Sequence, residues 1–364
     1  GGAAAGGGGG GGGSGYNSSY QQMVAQYFSD QERKEIQIFQ SPSVRGENVT
    51  ELREFHFDCF AHSADELVAF AIAMFRHEGL LDSLFIPVGK IQTFILMVRA
   101  RYQANPFHNW QHGFSVLQFV FLMLSKTKIT VLSPEERLAL LIASVCHDVD
   151  HPGVTNDFEV SSSSDKAMTY NDVSVLENHH ACTTFRILAQ PEADILASLG
   201  TAQKREVRET IVRAILATDM SKHFAKIGYL GAVESVAPWK DRNERLQLCE
   251  VFIHSADLSG QTYKTSIADE WEGRISSEFM RQKEREEALG IPVKPFMQGL
   301  ENLQTRAKQQ KSFIAFVLVP WWRQVFRLFP DMREAHDSLI ANQDHFDRMS
   351  KGEEKQQGSA DEPA

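Results

Sequence analysis

An apolar run, Leu138 to Cys146, breaks off directly into His147-Asp148-Val149-Asp150-His151-Pro152-Gly153, and few folds can hold such a junction. Ser133-Pro134-Glu135-Glu136 opens a helix, with Ser as N-cap, Pro at N1 and Glu at N3 of a capping box. The stretch LALLIASVC that follows reads as a buried helix. Pro152 sets its end, because the residue before a proline avoids the α region. Two histidines and two aspartates at the end of a core helix must be compensated, since an unpaired buried charge is costly. A bound metal ion would do this.

The rest of the chain is also patterned for helices. ADELVAFAIAMFRHEGLL spaces Leu67, Phe70, Ala71, Met74 and Phe75 by threes and fours. Ser174-Val175-Leu176-Glu177 repeats the capping pattern, and further helices are expected near 203–219, 243–258, 263–289 and 304–326. No alternating run with a hairpin turn is present, so strands are not expected. The fold class expected is all-α, with one helical catalytic-size domain over 21–345. A Gly-rich linker at 1–20 and a polar tail at 346–364 are expected to be disordered. The polyglycine start also reads as a junction to further, regulatory domains outside this chain. Turn residues concentrate at 152–174 and 290–303, and long loops in a helical body tend to be functional.

Charge and cysteine usage narrow the partners. With 37 basic and 47 acidic residues the net charge is −10, and no long basic block favours nucleic acid or an anionic membrane. Cys59, Cys146, Cys182 and Cys249 are widely spaced without a C-x-x-C pair, which fits reduced thiols in a cytoplasmic protein. The apolar runs VLQFVFLML and SFIAFVLVPWW are too short to span a bilayer, so no direct membrane insertion is expected. A homodimer is left open.

Four of the 13 histidines fall in pairs four apart, His108/His112 and His147/His151. Positions i and i+4 share a helix face, so His108 and His112 could look into one cavity. Asp257 closes another apolar helical segment in FIHSADLSG, where metal binding would compensate its charge. His112, His147, Asp148 and Asp257 together offer two nitrogens and two oxygens. That set suits zinc with open positions, and the carboxylates could hold Mg²⁺ or Mn²⁺ beside it. Asp150, two residues past Asp148, points elsewhere. His179 and His180 read as supporting residues.

The order His … His-Asp … Asp resembles the HD metal-dependent phosphohydrolases. Within that group NPFHNWQHG, HDVDHPG, YNDVSVLENHH, ATDMSKH, HSADLSG and QKSFIAFVLVP look like the catalytic domain of class I 3′,5′-cyclic nucleotide phosphodiesterases, in that family's order over about residues 50–345. The resemblance implies a compact multi-helix bundle with a binuclear metal site at the base of a deep pocket. It implies Zn²⁺ on His112, His147, Asp148 and Asp257, with Asp148 shared with a second ion, Mg²⁺ (or Mn²⁺). His151, Glu177 and Thr218 match positions that hold the second ion's waters, and His108 matches the proton donor.

Gln310 and Phe313 match the family's base-binding glutamine and aromatic, with Ile275 as the opposite jaw. The implied reaction converts cAMP, cGMP or both to the 5′-monophosphate, through a hydroxide shared by two metals and a His general acid. The cyclic nucleotide is then the partner, and its hydrolysis ends a signal. Two departures bear on specificity and on the acid. Gly260 stands where several cAMP-preferring relatives carry Asn, and Phe107 stands where many have Tyr. The 290–303 loop, with Met297 and Gly299, matches a variable segment that lines the pocket. Another HD-type nucleotide phosphohydrolase would explain the metal ligands but not His108 with Gln310 and Phe313. A non-catalytic helical binding module would need none of them.

Overall fold

The computed structural model describes residues 27–38, 49–233 and 239–353. The expected linker at 1–20 and residues 354–364 of the expected tail lie outside the described residues. Among the described residues there are helices and turns and no strand. The body is built from Ala64–His77, Val88–Arg101, Trp110–Thr127, Pro134–Cys146, Val175–Leu188, Thr201–Leu216, Arg242–Asp257, Thr265–Leu289, Leu303–Phe313, Val319–Leu328 and Arg333–Lys351.

Two helices form the centre, and their sequences say why. Trp110–Thr127 is buried from Trp110 to Leu124 apart from Gln111, and Pro134–Cys146 is buried from Leu138 onward. Helices apolar on every side belong inside a bundle, and each fully buried Leu or Phe contributes roughly 1.5–3 kcal/mol. The Ser133 capping box forms as expected, and Glu136 at N3 is also gripped by the Arg245 guanidinium at 2.9 Å. That ion pair ties the start of one central helix to Arg242–Asp257, whose far end carries Asp257. Gly113 permits the closest approach in the core. A Cβ there would lie 2.3 Å from the Tyr102 hydroxyl, which donates to the Val145 carbonyl at 3.0 Å.

Several local expectations are corrected. His108 is not on the Trp110–Thr127 helix, because Asn109 is its N-cap and accepts from the Gln111 and His112 amides. His108 and His112 therefore meet across a helix start, not along a helix face. Ser174 makes no cap: it has φ 43°, and its hydroxyl donates to Asp219 at 2.6 Å. Glu177 likewise turns away, accepting two contacts of 3.1 and 3.0 Å from the Asn156 amide. Both ends of the expected capping box are thus spent on other partners. The 152–174 segment contains two short helices, Asn156–Ser161 and Asp165–Tyr170. The last helix runs to Lys351, past the boundary drawn at 345, because Phe346 is buried and Gly352 at φ 73° ends it.

Candidate active site

The four donors expected from sequence come together. His112 Nε2 and His147 Nε2 are 3.1 Å apart. Each lies 3.1–3.2 Å from a carboxylate oxygen of Asp148 and 3.2 Å from one of Asp257. Donors about 2.0–2.2 Å from one centre sit roughly 3.0–3.5 Å apart, from right-angle to tetrahedral arrangement, so the spacing fits a single metal ion. Local structure prepares the set. His147 follows the last helical residue, and its Nδ1–H donates to the Ser144 carbonyl at 2.9 Å, one of the carbonyls a helix end leaves without a partner. That bond leaves Nε2 free to face the carboxylates. Burial works against charge on His147, yet Asp148 and Asp257 hold its pKa well above the ordinary value. Burial also opposes ionisation of the two aspartates, but His147 keeps both below the carboxylate range. The field at this point favours a cation.

His108 stands beside the cluster, its Nε2 3.9 Å from Asp148. Its Nδ1 is bonded to one oxygen of Glu278, while the other oxygen accepts from the backbone amides of Phe107 and His108 at 3.0 and 3.1 Å. Burial lowers the His108 pKa, but Glu278, with help from Asp148 and Asp257, raises it to about 9. The Asn105 amide staples this loop to the other motif, donating to the carbonyls of His108 at 2.9 Å and His151 at 2.7 Å. Gly153, at φ 72°, is required where its backbone crosses Asn105: a Cβ would come within 2.7 Å of the side-chain oxygen.

His151 stacks on His108 at 3.9 Å between ring centres, and His180 lies behind it at 5.5 Å. His151 Nδ1 accepts from the Gly153 amide at 3.0 Å. Burial and the neighbouring His108 charge push its pKa well below the ordinary value. His180 donates from Nδ1 to the Val149 carbonyl at 2.8 Å, so its Nε2, 3.6 Å from Asp148, is a bare nitrogen. Burial takes its pKa to about 4. Asp148, His151 and His180 form a second group able to hold a cation. Asp150 does turn away, at φ 63°, to accept from His179 at 2.8 Å and Gln103 at 2.9 Å.

Asp148 and Asp257 of the cluster, with His108, His151, His180 and Glu278, border one cavity of about 560 Å³, which also reaches Gln310, Phe313 and Ile275. Glu177 and Thr218 line it too. Burial and the Asp219 charge raise the Glu177 pKa to about 7, against the lowering bond from Asn156. The Thr218 hydroxyl donates to the Ile215 carbonyl at 2.8 Å, so its oxygen keeps acceptor capacity. Phe107 packs between His108, His112 and Trp271. A Cβ at Gly260 would meet Trp271 at an ordinary 3.6 Å. The expectation for the 290–303 loop is corrected: no residue of it lines the cavity. Met297 is buried in the body and Phe296 packs on Phe279 at 5.3 Å, so the loop supports the wall from behind.

The family model for 3′5′-cyclic nucleotide phosphodiesterase matches residues 107–339, more than half of the chain's 364 residues. The chain belongs to this phosphodiesterase family. The curated relative 3′,5′-cyclic-nucleotide phosphodiesterase regA of Dictyostelium discoideum is 33% identical over 319 residues, 86% of this chain and 40% of that protein. The high affinity cGMP-specific 3′,5′-cyclic phosphodiesterase 9A of Mus musculus is 30% identical over 321 residues, 88% of this chain and 60% of that protein. The chain thus spans about half the length of these relatives. The crystal structure of the phosphodiesterase domain of the RhoPDE fusion protein from the choanoflagellate Salpingoeca rosetta superposes with a TM-score of 0.81 at 32% identity. The match covers 83% of this chain and 96% of that one.

Four polar residues of this phosphodiesterase site escaped the sequence reading as partners of it: Glu278, Asn105, Asn156 and Asp219. Only Glu278 carried a signal. It lies on the stripe Trp271, Ile275, Glu278, Gln282, a helix face otherwise expected to be core. A carboxylate on that stripe needs a partner, which is His108. No described helix is long and apolar enough to cross a membrane.

Proposed function

We propose that this chain hydrolyses the 3′,5′-cyclic phosphodiester of cAMP, cGMP or both to the 5′-nucleoside monophosphate, and so ends a cyclic nucleotide signal. The observation that carries the proposal is the meeting, on one cavity, of His108, the Gln310/Phe313 pair and the two aspartates, Asp148 and Asp257, of the four-donor cluster. His112, His147, Asp148 and Asp257 would hold Zn²⁺, and Asp148 would be shared with Mg²⁺ or Mn²⁺. Bound there, such ions would supply positive charge to neutralise the phosphate and would lower the pKa of water toward a nucleophile.

The remaining roles belong to the chain's own side chains. The departing O3′ is a poor leaving group unless protonated, and His108 supplies the proton from Nε2. Glu278 fixes the ring by its Nδ1 and keeps it in the acid form. His151, Glu177 and Thr218 line the cavity, where they would accept from or donate to water held by a second ion. Phe313 and Ile275 take the base between them, and Gln310 reads its edge. An amide offers a donor and an acceptor end, and Gly260 adds no side chain to favour one base, which supports use of both nucleotides. A cytoplasmic location agrees with four free cysteines, three of them buried.

The test incubates the protein with cAMP and cGMP separately, with and without Mg²⁺ and after chelation. Metal-dependent release of 5′-monophosphate is expected, and the ratio of rates gives the specificity. Folded, metal-loaded protein that turns over neither nucleotide refutes the proposal.

A further inference from the structure

The helix that carries Gln310 and Phe313 does not continue as α-helix. Ile314–Leu318 is a π-helical turn, and α-helix resumes over Val319–Leu328. Pro320 is the cause: it lacks an N–H for the preceding turn, and its ring crowds the Phe316 carbonyl four residues back. One carbonyl of this turn, that of Val317, faces a side chain. His223 Nε2 lies 3.2 Å from it, and His223 Nδ1 lies 2.9 Å from His254 Nε2.

Both rings are buried, and neither lines the cavity. Burial keeps them neutral, lowering the His223 pKa and taking His254 to about 3. A carbonyl can only accept, so His223 carries its proton on Nε2. Its Nδ1 is then bare and takes the proton of His254 Nε2. His254 sits one turn before Asp257 on the same helix. Two indoles run alongside, Trp321 to the Ser255 hydroxyl at 3.1 Å and Trp322 to the Leu258 carbonyl at 3.4 Å. Those two belong to the helix after the π-turn, whereas the histidine pair reaches the turn itself.

We infer that His223, backed by His254, is a positioning residue for the nucleobase. The pair forms a strut from the Asp257 helix to the π-turn, and it sets where Phe313, Gln310 and Leu318 stand relative to the metal ligands. This rests on the cyclic nucleotide reading above.

His223→Phe keeps an aromatic ring in the space and removes both hydrogen bonds, while His223→Gln restores a donor near the Nε2 position. With the full chain, His223→Phe should raise KM for the cyclic nucleotide about five- to tenfold, the effect of one lost hydrogen bond. Its kcat should stay within about twofold and its bound metal unchanged, and His223→Gln should recover most of the KM. An unmoved KM, or kcat and metal content falling together, overturns the inference. Should the Phe variant fail to fold, ¹⁵N spectra of the unaltered protein decide: an Nε2–H tautomer at His223 is expected, and Nδ1–H refutes the strut. Absence of turnover by the unaltered protein would instead refute the proposed function, with the tautomer measurement still judging the strut.

Discussion

Replacing Glu278 with Gln tests the acid most directly. Burial alone pulls the His108 pKa down, and the Glu278 charge is the largest influence raising it, from the ordinary 6.5 to about 9. Glu278 is itself held ionised: burial raises its pKa, but the His108 charge and the two backbone amides lower it further. His108→charged is the active form of an acid, so activity is present below its pKa and lost as pH rises through it. In the limit where Glu278 supplies the whole rise, the variant's His108 returns to 6.5. The protonated fraction then falls roughly thirtyfold at pH 8 and by less than about twofold at pH 6. Cations bound on Asp148 and Asp257 would lower the starting value in both proteins, so the displacement between them should survive metal loading. The assay is kcat/KM for the cyclic nucleotide from pH 6 to 10, with Glu278→Asp as the control that keeps the charge. An alkaline limb that does not move in Glu278→Gln, or an equal loss at both ends of the range, would refute the reasoning.

Other outcomes follow from single features. Asp257→Ala should lose tightly bound metal together with activity, read by elemental analysis after gel filtration. His108→Ala should keep its metal and slow by about 10²–10⁴-fold, as expected for a lost general acid; full activity would remove His108 from that role. Gly113→Ala forces a methyl against the Tyr102 hydroxyl, 2.3 Å away. Overpacking of this kind costs about 1–3 kcal/mol, measurable by denaturant titration, and metal affinity should drop because His112 is the adjacent residue. Ser133→Ala removes a capping box far from the cavity and should cost about 1 kcal/mol of stability with unchanged kinetics.

Three of the four clustered donors were legible because they stand where the chain's pattern breaks. His147 and Asp148 end an apolar helix, and Asp257 ends another, so their charge was conspicuous against the core. His112 was legible through its spacing to His108, although the helix assumed between them is absent. Asn109 has the side chain that starts a helix, and His108 therefore precedes it. Glu278 was hidden for a different reason. Its place on the stripe with Trp271 and Ile275 marked it as needing a partner, but that partner lies 170 positions away and nothing local names it. The same limit applies to Asn105, whose two carbonyl partners lie on separate motifs, and to Ser174, whose hydroxyl had a local use and a distant one. Long-range polar pairing overrode local propensity at each of these positions. The all-helical architecture of the described residues was legible because a capping box opens Pro134–Cys146 and no alternating run competes with the helical pattern.

The three parallel imidazoles of His108, His151 and His180 have one more consequence. At 3.9 Å between the first two rings, a second positive charge would cost about 4 kcal/mol at an effective dielectric constant of 20. The column therefore carries a single positive charge, at the end bonded to Glu278. His151 and His180 cannot act as a reserve, because burial holds both uncharged. In the proposed reaction each departing alkoxide would take the His108 proton, which would have to be replaced before the next turnover. Replacement of that proton would then respond to buffer concentration and to heavy water at one nitrogen, His108 Nε2.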